Sequence, residues 1–239
     1  MAEQLSFDLP VRQALGREDF FVSPANAVAV AMIESALPWP GGRLVLSGPA
    51  GAGKTHLTHV WAARTGARIV AARSLRAADV PLLAHQPVAV EDVPEIATDL
   101  DAQKALFHLY NLMLSEGHAL LLTGRLDPAL WQLSLPDLQS RVQSAQHAAL
   151  TAPDDALLMA VLTKLFADRQ LAPKPDVIPY LVTRMDRSFA AAGEIVDRLD
   201  RIALAEGRTL TRALAARLLD PAPPEDETPR NPPPSGPHD

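Results

Sequence analysis

Short apolar runs alternate with helix-period stretches along the first two thirds of the chain. Arg43–Ser47 (RLVLS), Ala67–Ala71 (ARIVA), Pro87–Val90 (PVAV) and Ala119–Thr123 (ALLLT) are continuous apolar runs of strand length. That is the pattern of strands buried on both faces. The segments between them are long enough for helices, which parallel strands require as crossovers. The pattern predicts a doubly wound α/β unit over residues 13–152, a parallel sheet flanked by helices. Past Pro153 the strand pattern stops, and breaks at Pro173, Pro175 and Gly207 divide residues 153–220 into three or four helices. This second part is predicted to be a small all-α lid. No internal repeat is visible.

The two ends read differently. In Gln4-Leu5-Ser6-Phe7-Asp8-Leu9 the apolar residues alternate at period two, so an extended chain would present Leu5, Phe7 and Leu9 on one side. An apolar edge of this kind within residues 1–12 needs a partner. Residues 221–239 are dense in Pro and acidic side chains and hold no large apolar one. Ordering such a segment costs more entropy than its burial can offset, so a disordered Pro-rich tail is expected.

Composition narrows the class. At 239 residues the chain can hold one large domain, or a large and a small one, and its 48% apolar content is mostly Ala, Leu and Val. The absence of Cys excludes disulfide and thiolate chemistry. No apolar run approaches the roughly 20 residues of a membrane span, and the first residues lack a signal-peptide pattern, so a cytoplasmic protein without membrane contact is expected. A net charge of -6 argues against broad binding to a nucleic-acid backbone, and no direct sequence-specific DNA binding is expected.

Three strand ends carry candidate chemistry. Gly48-Pro49-Ala50-Gly51-Ala52-Gly53-Lys54-Thr55 is a complete phosphate-binding loop between the RLVLS run and a helical pattern that begins at His56. Its glycines let successive amide N–H groups point at phosphate oxygens, and the helix start adds its positive dipole end. Lys54 would neutralise the β- and γ-phosphates, and Thr55 would ligate Mg²⁺. Next, Val88-Ala89-Val90 ends in Glu91 and Asp92. One such carboxylate can hold Mg²⁺, often through water, while the other orients or deprotonates an attacking water; solvated acids at a strand end are the plain alternative. Glu91 stands where Asp is usual for such proteins. Finally, Thr123-Gly124-Arg125 places a hydroxyl and a guanidinium at the sheet edge where ligands bind. Thr123 is either a γ-phosphate sensor or a helix cap. Arg141, in LPDLQSR, is placed to act as an arginine finger in a neighbouring molecule's site, although a surface Arg is in itself ordinary.

Together these segments resemble the AAA+ ATPases of the DnaA group, and within it the Hda branch of replication regulators, over residues 4 to about 219. Asp19-Phe20-Phe21-Val22-Ser23-Pro24-Ala25-Asn26 is similar to the adenine-side segment, which implies nucleotide contacts by Phe21, Val22 and Asn26. GPAGAGKTHL carries the phosphate loop through His56, LLLTGR resembles sensor 1, and LPDLQSR resembles box VII with its finger at Arg141. The peptide at residues 4–9 resembles the clamp-binding motif of that branch. There Gln4 would enter a small polar pocket while Leu5, Phe7 and Leu9 fill a groove on the sliding clamp, the beta subunit of DNA polymerase III. DnaA itself carries a helix-turn-helix domain after the lid, whereas only the Pro-rich tail follows here.

The resemblance implies bound ADP or ATP with Mg²⁺, little or no ATPase activity of its own, and DnaA as the partner whose ATP hydrolysis Arg141 stimulates. Asp92 and Thr123 would support the chemistry. One departure stands out: the sensor 2 Arg of the family falls at Ala190, and Arg187, three residues earlier on the same helix face, is the candidate substitute. Monomer and self-dimer are both open. The rival readings are an autonomous P-loop ATPase such as a DnaC-like helicase loader, and a small-molecule P-loop kinase.

Overall fold

The structure is a computed structural model that describes residues 21–36, 38–206 and 209–219. The clamp-motif residues Gln4, Leu5, Phe7 and Leu9 and the tail 221–239 lie outside the described residues.

Helix α1 (Ala27–Glu34) leads into strand β1 (Arg43–Ser47), helix α2 (Lys54–Thr65) and strand β2 (Arg68–Ala71). There follow α3 (Val80–Leu83), β3 (Val88–Glu91), α4 (Leu100–Ser115), β4 (Leu120–Gly124), α5 (Pro136–Ser144) and β5 (Gln146–Ala149). The five strands form one parallel sheet in the order β2-β3-β4-β1-β5. Every residue of β1 and β4 is buried, as a central parallel strand flanked by helices demands. At the sheet's edge, β2 is only half-buried.

Four strands coincide with the apolar runs to within a residue or two. The fifth, β5, was not expected: Gln146-His147-Ala148-Ala149 has no apolar run, and only Ala148 is buried. Its place comes from pairing with β1, Leu44 opposite Gln146 through Ser47 opposite Ala149.

Each face of the sheet is covered. On one side Leu106, Leu109 and Met113 of α4 pack on Val45, Val90 and Leu122, together with Leu138 and Val142 of α5. Asp99 caps α4, its carboxylate accepting the Ala102 N–H. On the other side Val30 and Ile33 of α1 and Leu57 and Trp61 of α2 pack on Leu44, Leu46 and Leu121.

Beyond the sheet, α6 (Asp155–Asp168), α7 (Val177–Val182), α8 (Phe189–Glu206) and α9 (Arg212–Leu219) are built around a core of their own, with Leu158, Leu162, Phe166, Leu181, Val196 and Leu199 at its centre. The extensive contacts of these helices are with one another.

Candidate functional site

The C-terminal ends of β3, β4 and β1 meet at one edge of the sheet. Strand β1 runs into the phosphate loop at Gly48, whose N–H donates to the Gly124 carbonyl at 3.2 Å, so the loop is tied to the end of β4. Gly124 lies against the indole of Trp131, so closely that a Cβ at 124 would fall 2.4 Å from the ring. Lys54, the first residue of α2, is buried with its Nζ donating to the carbonyls of Gly48 (2.7 Å) and Pro49 (2.8 Å). The ammonium therefore sits at the focus of the loop, on carbonyls that it can exchange for phosphate oxygens. Burial pushes its pKa below the ordinary 10.5; the charges of Asp92 and Glu91 oppose that shift and the charge of Arg125 adds to it. Thr55 is exposed on the first turn of α2, next to half-buried His56.

The two carboxylates of β3 face different surroundings. Glu91 Oε1 is buried without a hydrogen-bond partner. Asp92 has left-handed backbone at φ 55°, and its N–H donates to Thr123 Oγ1 at 3.0 Å. Thr123 is itself fully buried, so its hydroxyl binds the turn after β3 to β4. Beside it Asp92, Pro94, Glu95 and Arg125 line a cleft of about 260 Å³. The sequence placed the Arg125 guanidinium at this edge without a role. Nothing in the local pattern says that it shares a cleft with Asp92.

Ser47 Oγ and His147 Nε2 are hydrogen-bonded at 2.7 Å, and His147 Nδ1 lies 3.9 Å from Asp127. This contact was invisible in the sequence because it depends on the unforeseen β5.

In the segment expected to flank adenine, Asn26 is buried; its Nδ2 donates to the Phe21 carbonyl (2.9 Å) and its Oδ1 accepts the Ser23 N–H (2.9 Å). The Ala25 carbonyl accepts the Thr151 N–H at 3.1 Å, which fixes the segment beside the end of β5. Phe21 and Val22 are left exposed. Ala50 and Pro49 complete the exposed crest of the loop, while Ala52 is buried beneath it, next to Gly53.

The helical part touches the loop directly. The Phe189 N–H at the start of α8 donates to the Gly51 carbonyl at 3.0 Å. Gly51 has φ 71°, and a Cβ there would fall 2.3 Å from Ser188 Cβ, so both its backbone and its neighbour require glycine. Ala190 is exposed and uncharged. Arg187 precedes α8 and so does not share a helix with Ala190, contrary to expectation; its guanidinium is held by Asp155 (2.6 Å) and the Pro153 carbonyl (3.0 Å), where the chain enters α6.

Arg141 lies elsewhere. In the last turn of α5, its guanidinium stands over the rings of Phe107 (5.3 Å) and Tyr110 (5.6 Å) of α4. Arg43, the first residue of β1, covers the same Tyr110 ring at 4.9 Å and donates to the Tyr110 and His118 carbonyls, both at 3.0 Å. Burial raises the Tyr110 phenol pKa, with Arg43 and Arg141 pulling the other way. The stack thus marks the starting edge of the sheet, and the length of β1, roughly 15 Å at about 3.3 Å per residue, separates it from the phosphate loop.

The five-stranded parallel sheet flanked by helices is a mixed α/β fold of the kind seen in AAA+ domains. Domain III of the replication initiation protein DnaA from Thermotoga maritima is similar with a TM-score of 0.77 at 18% identity, over 88% of this chain and 98% of that one. AMPPCP-bound DnaA from Aquifex aeolicus is similar at 0.68 and 18% identity, over 82% of this chain and 68% of that one. The FIGL-1 AAA domain in complex with ADP gives 0.60 at 13% identity, over 78% of this chain and 74% of that one. No protein-family model matches the chain. Among the described residues no helix is long and apolar enough to cross a membrane.

Proposed function

We propose that this chain is a DnaA-related regulator of replication initiation of the Hda type, which binds ADP or ATP in its phosphate loop and presents Arg141 to ATP held by a DnaA partner. The observation that carries this reading is the place of Arg141, stacked on Phe107 and Tyr110 at the sheet edge opposite Lys54. A guanidinium held there is too far from this chain's own phosphate loop to reach a nucleotide bound in it. It would stabilise the charge that spreads over the phosphoryl oxygens as the bond to the leaving diphosphate breaks.

In the chain's own site, Lys54 and the backbone N–H groups of residues 50–55 grip the pyrophosphate, and Phe21, Val22 and Asn26 flank the base. Mg²⁺ would be held by Thr55 and Glu91; it supplies neutralising charge to the phosphates. Glu91 fits that task because one of its oxygens is buried and unpartnered. Asp92 and Thr123 form one hydrogen-bonded unit at the γ-phosphate side. The fold similarity to nucleotide-bound proteins, two DnaA structures with AMPPCP among them, supports an adenine nucleotide here. Residues 4–9 would tether the chain to the sliding clamp and so raise its concentration beside DnaA.

The test is turnover of DnaA-bound ATP with DNA-loaded clamp. Arg141→Ala is expected to lower the stimulated rate by about 10³-fold or more while ADP binding by this chain stays intact. Unchanged stimulation would overturn the finger role. A second reading, an autonomous ATPase, draws on the nearness of Asp92 and Glu91 to Lys54; it requires DNA-stimulated hydrolysis by the isolated chain.

A further inference from the structure

A second cleft, of about 370 Å³, opens on the helical part and is lined by Lys174, Thr209, Thr211, Ala213, Leu214 and Arg217. Its frame is fixed by the backbone: the Lys174 N–H donates to the Leu210 carbonyl at 3.0 Å, which holds the entry to α7 against the entry to α9. The Leu210 side chain is buried in the helical core and anchors this joint. Thr211 Oγ1 accepts the Leu214 N–H at 3.3 Å, which leaves the Thr211 O–H as a donor.

The charged residues of this lining are both cations. Among the described residues neither Lys174 nor Arg217 makes an ion pair or a side-chain hydrogen bond. Arg212, between two lining residues, stands over the Tyr180 ring at 5.0 Å, and Arg184 stands over the same ring at 4.5 Å. A ring face attracts a cation without neutralising it. The carboxylate nearest to Lys174 in sequence, that of Asp176, belongs to the exposed residue that precedes α7. Cations gathered around a concave surface raise the local concentration of anions.

The chain carries an anion of its own within reach. Helix α9 ends at Leu219, two residues past Arg217, and Glu225-Asp226-Glu227 follows after Pro221-Ala222-Pro223-Pro224. A Pro-rich tether of six residues spans roughly 19 Å, whereas α9 from Arg212 to Leu219 rises only about 10 Å. The three carboxylates can therefore reach the whole cleft from the end of the helix that forms its wall. Proline also limits the freedom of the unbound segment, so less entropy is lost when it seats. We propose that the cleft is the docking site of this chain's own Glu225–Glu227 segment, which covers the basic face of the helical part against other polyanions. Lys174 and Arg217 take the carboxylates in charge-assisted hydrogen bonds, and the Thr209 and Thr211 hydroxyls donate to the remaining oxygens. Charge holds the segment, since it has no large apolar side chain to bury.

The test is carbodiimide cross-linking of the full chain, which joins a carboxylate to an amine in contact with it, read by mass spectrometry. Links from residues 225–227 to Lys174 are expected to exceed those to exposed Lys104 by about tenfold or more. Arg217→Glu keeps the reactive amine and reverses the charge of the wall, so it is expected to cut the Lys174 link about tenfold. Salt at about 1 M should do the same, because it shortens the screening length to about 3 Å. Arg217 is exposed, so the variant is expected to melt with the wild type, which a thermal scan checks. In a second measurement Ser235→Cys supplies the sole thiol for a fluorescent label, whose anisotropy is expected to fall when Lys174→Ala and Arg217→Ala are combined.

A link to Lys174 no stronger than that to Lys104, or one that survives Arg217→Glu, overturns the proposal. Hybrid links at the statistical level in a mixture of unlabelled and isotope-labelled chains also overturn it, since the segment then docks on a second copy. The last competitor is a single-stranded oligonucleotide. It is expected to shield Lys174 from acetylation better in the combined variant Glu225→Gln, Asp226→Asn, Glu227→Gln than in the wild type; equal shielding would show that nothing occupies the wild-type cleft.

Discussion

Lys54 keeps its ammonium where little water reaches it, satisfied by two carbonyls of its own loop. Its folded-state pKa lies below the ordinary 10.5, so the unfolded chain binds more protons across the interval between the two values. Stability therefore rises with pH through that interval, and below it the cost of the buried charge is fully present. Relative to Lys54→Met, the wild-type melting temperature is expected to climb as pH is raised toward 10.5. A constant or shrinking difference would contradict the burial penalty. The same residue was legible from sequence alone, because Gly-rich spacing followed by Lys-Thr encodes its own local geometry. Arg125 was legible as a position and the cleft it lines was not, since the other walls come from the turn after β3. The Tyr110 ring, covered by Arg43 from β1 and Arg141 from α5, gave no signal: an aromatic on an amphipathic helix looks like ordinary core until its neighbours are known.

At the scale of elements, the central strands declared themselves because burial on both faces leaves an unbroken apolar run, and β1 and β4 have that burial throughout. Strand β5 did not, because an edge strand can be polar and still be ordered by its ladder to β1. Helix α8 was legible as a helix, but its contact with the phosphate loop was not. That contact depends on Gly51, where an L side chain would both strain a φ of 71° and strike Ser188. Gly51→Ala is expected to cost about 1–2 kcal/mol from the backbone alone and to release the start of α8. Amide exchange at Phe189 should then accelerate well above the rate elsewhere in α8. Exchange at the wild-type rate would show that the Phe189–Gly51 hydrogen bond survives the substitution.

Taken whole, the molecule has a sheet with a core on each face and a third core inside α6–α9. The two parts meet where the Phe189 N–H donates to the Gly51 carbonyl and Ser188 lies against Gly51. Parts with separate cores need not unfold together. Calorimetry without nucleotide is expected to resolve two transitions. Saturating ADP, which stabilises whatever form binds it, should raise the one assigned to the sheet and draw the other toward it. A single transition insensitive to ADP would argue against that picture. Strand-length runs cease near Pro153 and the last strand ends at Ala149, whereas the Phe189–Gly51 contact involves main-chain atoms that no side-chain pattern records.

The seat of Trp131 against Gly124 has a consequence for descent. An indole at 131 is tolerated only while 124 has no Cβ, and loss of that ring would leave a void where Gly124 now has a wall. Neither site can drift alone. Among related chains the two positions are expected to change as a linked pair, and a lineage that discards the tryptophan becomes free to place almost any small residue where the glycine was.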